Sequence, residues 1–529
     1  MNNRQQLIVR LLVVLGILVS LNVIAVRYFT RIDLTADHMY TLSDASKNLV
    51  SSLDDRFTVK AYFTDDLPPP YNNNRRYLQD QLDEYRAYAK GNFQYELIDP
   101  GKNEEIEKEA QKYGIPPVQV QVLEQDKMQV KKGYMGLVFL YGDKTERIPV
   151  IQSTENLEYE ISSSLKKLTA KELKKVGFLT GHGEPPLAQM SRLQEMLAKQ
   201  YQVVPVNLAS GTPIAADMAA LVVVGPSAPL KSWEKFLIDQ YVMNGGRVAF
   251  FLNKVDINLQ GEMGRPVDPN LDDLLASYGV RVNTDLVRDV SCAYVTVSQQ
   301  AGFMVIQNQV PFYYLPQASQ FAEASPVVKG LGSVVFYFAS SVDTSLARTR
   351  GYKATVLVQS SKRSGRQEGV FMVNPTAEVT PDMFAESGIP LVANVEGSFV
   401  SAFNQRPVGA DSSVRSVIDT TKKLIVSNRL TKIVVAGDGD FLQDQYSGGK
   451  TDNFVLASNL IDWLSDDIGL SAIRARESGV KPLGEVTDAS RNLIKGISLA
   501  LPPLLVVLAG ILRWRWRATA RRRLELKGL

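Results

Sequence analysis

The chain has 529 residues, 45% hydrophobic, 22% charged and 9% aromatic, a balance that excludes a disordered, collagen-like or many-span membrane protein. Its formal charge is only +3, from 59 basic and 56 acidic side chains, so the total gives no reason to expect nucleic-acid binding. The charge is unevenly spread, with Arg513, Arg515, Arg517, Arg521, Arg522 and Arg523 crowded at the end and a mildly acidic middle, and the single Cys292 excludes an intramolecular disulfide.

In chain order, the uncharged run Leu11–Val26 predicts a transmembrane helix within residues 1–27, with a cleaved signal peptide as the competing reading. A juxtamembrane segment (28–53) follows, in which Thr41 and Asp44 have capping-box spacing and open a short helix to about Leu53. Strand-like alternation at Phe57–Thr64 and Phe93–Ile98, helical periodicity at Tyr77–Ala89 and Glu104–Tyr113, and apolar strands near Val118–Leu123, Met135–Leu140 and Arg147–Val150 predict a thioredoxin-like α/β domain over 54–151. Redox chemistry is not expected of it, because an Asp/Pro-rich run, Asp65–Pro70, stands where a dithiol would follow the first strand.

A polar connector (152–174) leads into a second α/β unit over 175–469. Strands at Lys175–Thr180, Val203–Leu208, Ala220–Val224 and Arg247–Leu252 alternate with helices at Leu187–Gln200 and Ser232–Asn244, which argues for a doubly wound, largely parallel sheet. A helix at Leu271–Tyr278 comes next. Residues 289–321 are then rich in β-branched and aromatic side chains without a clear period. Sheet-like runs recur at Val334–Phe338, Ala354–Val358 and Lys432–Ala436, and Asn453–Leu464 has helical periodicity. A second juxtamembrane segment (470–493) precedes the uncharged run Gly496–Leu512, which predicts another transmembrane helix over 494–512, and a basic tail closes the chain over 513–529. On this reading the six tail arginines determine topology: both termini are expected in the cytoplasm and the bulk of the chain outside it.

The strongest candidate for a ligand site or subunit contact is Gly181, His182, Gly183 and Glu184, a turn after the first strand of the second unit. Glycines at a strand end let backbone N–H groups approach an anion, and His182 with Glu184 forms a possible acid/base pair. Asp438 and Asp440 are a weaker cation candidate, since two carboxylates fall short of a calcium loop. No metal site and no cofactor is expected: the other histidine, His38, stands far away in sequence and no Cys/His/Asp cluster completes a zinc set. Asp444–Thr451 matches a phosphate-binding loop except at its first position, where Asp replaces Gly, so ATP hydrolysis is not expected. Cys292 lacks a nucleophile-elbow context and reads as a small buried hydrophobe.

The segments Ile32–Thr35, Tyr40–Asp44, Gly177–Glu184, Asp239–Gly246, Val334–Ser341 and Val435–Phe441 resemble, in the same order, those of GldG-type auxiliary subunits of gliding-motility-associated ABC transporters. The resemblance implies two transmembrane helices flanking a periplasmic thioredoxin-like domain and a flavodoxin- or glutamine-amidotransferase-like doubly wound domain without that class's catalytic cysteine. It implies as partners an ABC permease subunit and a cytoplasmic ABC ATPase, and the reading built on it is a non-enzymatic auxiliary subunit of a bacterial inner membrane whose periplasmic domains engage substrate or another envelope component. It carries no catalytic residue, and motility does not follow from it. The alternatives are a periplasmic hydrolase or amidotransferase-like enzyme using the Gly181–Glu184 turn, and a membrane-anchored glycan- or peptide-binding protein that acts without a transporter.

Overall fold

Two α/β layers follow one another along the chain, each built around a sheet whose central strands are buried and whose edge strands are partly exposed. The computed structural model describes residues 41–465 and 488–525 apart from short gaps (66, 69–70, 125–126, 152–153, 155, 171, 302–303, 410–411 and 447–451), together with Val13, Val14, Gly16, Ser20 and Ile473. Contacts group the chain into two compact units, Met1–Gly479 and Val480–Leu529.

In the first unit, helix α1 (Asp44–Ser51) begins at Ser43, whose hydroxyl accepts from the Ser46 N–H at 3.2 Å. The cap therefore falls two residues after Thr41, the residue that capping-box spacing selects. Then come β1 (Phe57–Phe63), α2 (Asn74–Tyr88), β2 (Phe93–Ile98), α3 (Glu104–Lys112), the hairpin β3 (Val118–Glu124) and β4 (Lys127–Gly133), β5 (Met135–Tyr141), β6 (Lys144–Ile148) and α4 (Leu157–Thr169). The sheet order is β2-β1-β5-β6, with β1 parallel to β2 and antiparallel to β5. Alternation along β1 sends Phe57, Val59 and Phe63 into a core with Leu78 and Leu82 of α2, and Tyr62 into a smaller one with Ala110 and Val138. Glu158 at the head of α4 ties α1 down, accepting from the Ser43 N–H at 2.7 Å and the Ser46 hydroxyl at 2.6 Å.

The second layer contains β7 (Lys174–Thr180), α5 (Ser191–Ala198), β8 (Tyr201–Asn207), β9 (Met218–Val224), α6 (Ser232–Met243), β10 (Val248–Phe251), β11 (Val255–Asn258), β12 (Met263–Pro266), α7 (Asp272–Ser277), β13 (Cys292–Ala301), β14 (Met304–Ala318), β15 (Gln320–Phe321), β16 (Lys353–Gln359), β17 (Pro390–Gly397), β18 (Thr431–Ala436) and α8 (Asp452–Leu464). Its main sheet has eight strands in the order β15-β16-β17-β18-β10-β9-β7-β8. The five from β18 to β8 are mutually parallel, and β17, β16 and β15 join antiparallel, so the sheet is mixed where the strand–helix alternation predicts a largely parallel one. Along β9, Ala220, Val222 and Val224 face α5 and α8 while Leu221 and Val223 face α6. Burial on both faces is why β9 reads as a continuous apolar run. From β7 the chain first crosses to β8 on one side and then returns to β9 on the other, which opens a crevice at the carboxyl ends of β7 and β9.

The expectation of two membrane-spanning helices is corrected. Among the described residues no helix is long and apolar enough to cross a membrane. The second predicted span lies inside one continuous helix, α9 (Asp488–Glu525), which makes up most of the second unit. Its uncharged stretch, Gly496–Leu512, is bounded by Lys495 and Arg513; at 1.5 Å per residue it reaches about 25 Å, short of a hydrocarbon core of about 30 Å. The first predicted span falls almost wholly outside the described residues, as do residues 28–40 of the first juxtamembrane segment and most of the second.

Candidate functional site at the carboxyl edge of the sheet

Strands β7, β9, β10 and β18 end at one edge, and the loops that follow them converge there. They enclose a cavity of about 670 Å³ whose lining includes Glu184, Ser227, Asn253, Asp256, Asp440 and Tyr446. The hairpin β11–β12 supplies one wall, with Arg265 paired to Asp256 at 3.5 Å. Gly183 and Glu184 of one predicted candidate thus share a cavity with Asp440 of the other, although far apart in sequence; His182 and Asp438 do not line it.

The Gly181–Glu184 turn is locked from several sides. Gly183 has φ +79°, and a Cβ there would stand 2.1 Å from the Ser227 hydroxyl, so only glycine fits without strain. The His182 carbonyl accepts from the N–H groups of Ser227 and Ala228 at 2.9 and 2.8 Å, stitching the β7 loop to the β9 loop. The buried imidazole lies between two carboxylates, with Nδ1 3.2 Å from Glu184 and Nε2 3.1 Å from Glu234. Glu184 also accepts the His182 backbone N–H at 2.6 Å, and Glu234 accepts that of Lys231 at 2.8 Å, closing the first turn of α6. The Glu184 hydrogen bond, reinforced by Glu234, holds the imidazole above its ordinary pKa against the opposing effect of burial. Burial alone would raise Glu184, but its bonds to the His182 ring and backbone bring it below the usual range.

With both ring nitrogens committed and the ring off the cavity wall, His182 has no nitrogen to offer a substrate. The serine on that wall, Ser227, donates to the Gly183 carbonyl at 3.3 Å, and neither histidine nor cysteine is among the described lining residues. The arrangement suits holding loops together and accepting hydrogen bonds from a ligand; the described residues that line it form no nucleophile–base pair. Sequence reasoning missed Glu234. Its position three residues after the Lys231 cap marks it as a capping residue, but nothing local signals its contact with His182.

Asp438 is fully buried and accepts from the N–H groups of Tyr337 and Asp440, both at 2.7 Å. Burial, with Asp440 beside it, pushes its carboxyl well above the ordinary range. It clamps the loop in which Phe338 adopts φ +55°, and Phe338 in turn lines the cavity. Asp440, pushed up to about 6 chiefly by burial, accepts from Gln443 at 2.8 Å. Among the described residues no group of three or more His, Cys, Asp or Glu is placed to hold a metal ion.

The remaining predicted positions have structural explanations or lie elsewhere. Asp444 of the phosphate-loop-like stretch accepts from the N–H groups of Ser191 and Arg192 at 2.8 and 3.2 Å, capping α5, while residues 447–451 lie outside the described residues, as does His38. Cys292 is buried, and desolvation pushes its thiol up to about 11. Arg513, Arg515 and Arg517 are exposed on α9, and Arg521, Arg522 and Arg523 continue the same helix.

The family model described as "ABC-type uncharacterized transport system" matches residues 173–465, more than half of the chain and the whole of the mixed-sheet layer. The chain belongs to this family. A second model, a domain of unknown function, matches residues 36–140. A protein of Borreliella burgdorferi described as uncharacterized is 22% identical over 497 residues, covering 92% of this chain and 93% of its own. Among solved structures, "mmIFT52 N-terminal domain" is similar at 14% identity with a TM-score of 0.33, covering 55% of this chain and 97% of that one. A ThuA-like protein from Parabacteroides merdae is similar at 12% identity and a TM-score of 0.27, covering 56% of this chain and 90% of that one.

Proposed function

We propose that the chain is a non-enzymatic auxiliary subunit of an ABC transporter, docking on a separate permease that a cytoplasmic ATPase drives, and presenting its α/β layers on the periplasmic side to substrate or an envelope partner. The observation that carries this reading is the family match across residues 173–465. The site geometry supports the non-enzymatic part: His182 is held between Glu184 and Glu234, Asp438 is consumed by backbone N–H groups, and Asp444 caps a helix. The carboxyl-edge cavity, lined by Glu184, Asp256, Asp268 and Asp440 against Arg265, is the surface on which a hydrogen-bond-donating ligand or partner loop would be held. The exposed arginines of α9 favour contact with an anionic membrane surface.

The test is affinity purification of the tagged full-length chain from membranes of its native host. Co-purification of one permease and one ATPase is expected. Repeated recovery of the chain with neither would refute the assignment.

A further inference from the structure

From Val290 to Ala322 there is no Asp, Glu, Lys, Arg or His, in a chain that is 22% charged. This stretch forms a long antiparallel hairpin, β13 against β14, with Tyr294 opposite Pro311 and Ala301 opposite Met304. Its base is anchored, for Phe312, Tyr314 and Leu315 are buried with Leu286, Val335 and Phe371. Beyond Tyr294 and Pro311 the strands run for about 24 Å at 3.4 Å per residue. Both faces of this outer part meet solvent: Thr296, Ser298, Gln307 and Gln309 are exposed on one, Ile306 and Asn308 on the other. Among the described residues the outer edge of β13 pairs with no strand, and the contacts of β14 outside the hairpin lie at its base, where Gln317 and Ala318 pair with Val335 and Val334 and the Tyr314 and Pro316 carbonyls accept from Phe338 and Phe336.

A two-stranded ribbon standing alone in water is marginally stable, and exposed edges are commonly protected by charge, proline or a bulge. Here the bulge and Pro311 lie at the base, and the outer part carries none of these. Alternation places Val297, Ile306 and Val310 on one face around Asn308, continuing outward from Val295, which packs against the core at the base; Ile306 is 46% exposed, so an apolar face is left for a partner to cover.

We propose that this hairpin is a dimerisation arm, packing its Val297–Ile306–Val310 face against the same face of a second copy. The side-chain chemistry selects that occupant. A two-fold interface brings residues close to their own equivalents, so any ionised group near its axis meets its like. The arm carries none, and its polar side chains are Ser, Thr, Asn, Gln and Tyr, each of which both donates and accepts and can therefore pair with its own copy. Asn308, in the middle of the apolar face, sits where such a self-pair would form.

The experiment is the solution mass of the purified full-length chain by size-exclusion chromatography with light scattering, over a dilution series. The wild-type chain is expected to be a dimer that dissociates on dilution. Asn308→Lys and Asn308→Glu, both at an exposed position, should each be monomeric with the unfolding midpoint of the wild type diluted to monomer, and mixing them should restore the dimer because Lys then faces Glu. Ser298→Lys, on the opposite face, should remain dimeric. A wild type that is monomeric throughout, a dimer that survives either Asn308 change, or a mixture that stays monomeric would each overturn the proposal.

Discussion

Replacing Glu234 by Gln isolates the charge in the buried triad. The Gln side chain keeps the shape, and its amide oxygen still accepts from the Lys231 N–H and faces His182 Nε2, which lie 2.8 and 3.1 Å from the native carboxylate. Hydrogen bonds to charged groups contribute about 1.5–3 kcal/mol and neutral ones about 0.5–1.5, so a loss of about 1–2 kcal/mol is expected while the imidazole is protonated. The pH dependence follows from the shifts. His182 titrates above its ordinary value of 6.5 in the folded protein, so its contribution is fully present below that value and is lost as pH rises through the folded pKa. Glu184 titrates below its ordinary 4.5, so its contribution is present above 4.5 and is lost as pH falls through the folded pKa. The triad is therefore strongest between about pH 4.5 and 6.5. Burial raises the carboxyls of Asp239, Asp285 and Asp289, which lowers the stability of wild type and variant alike as pH rises and cancels in their difference. Urea unfolding of both proteins over a pH series from about 5.5 upward should show the 1–2 kcal/mol gap shrinking once the pH passes the folded pKa of His182, read from its own titration. A gap that stays the same or grows as His182 loses its proton would refute the reading of His182 as a protonated clamp.

Gly183→Ala combines a left-handed backbone, costing about 1–2 kcal/mol, with overpacking against the Ser227 hydroxyl, costing about 1–3, for a total of about 2–5 kcal/mol. Denaturant unfolding checks it, and adding Ser227→Gly should recover the overpacking part alone. Asp444→Ala leaves the N–H groups of Ser191 and Arg192 without their cap and should destabilise by about 0.5–2 kcal/mol. Asp444→Asn should retain most of that in a thermal melt, whereas full loss with Asn would show that capping is not the role of Asp444.

What was legible in the sequence was whatever the chain buries against itself over short distances. The run Met218–Val224 reads as a buried strand because both its faces are covered, and the glycine turn at 181–184 reads as a strand end because the tight reversal there puts Gly181 and Gly183 at positive φ. Strand β17, in the middle of the main sheet, was missed: it opens on Pro390 and carries Asn394 and Glu396, and its identity comes from pairing with β18, distant in sequence. Glu234 was invisible as a partner of His182 for the same reason. The uncharged run near the end of the chain signalled a helix correctly, but apolar composition alone does not establish that a helix spans a membrane, and α9 is charged on both sides of it. Residues 289–321 lacked a period for a different reason. Periodicity records which face a chain buries against itself, and the outer part of the 292–318 hairpin buries neither face fully. Apolar, uncharged composition without a period therefore marks the place where burial must come from another molecule, and here that absence of pattern coincides with the projecting arm.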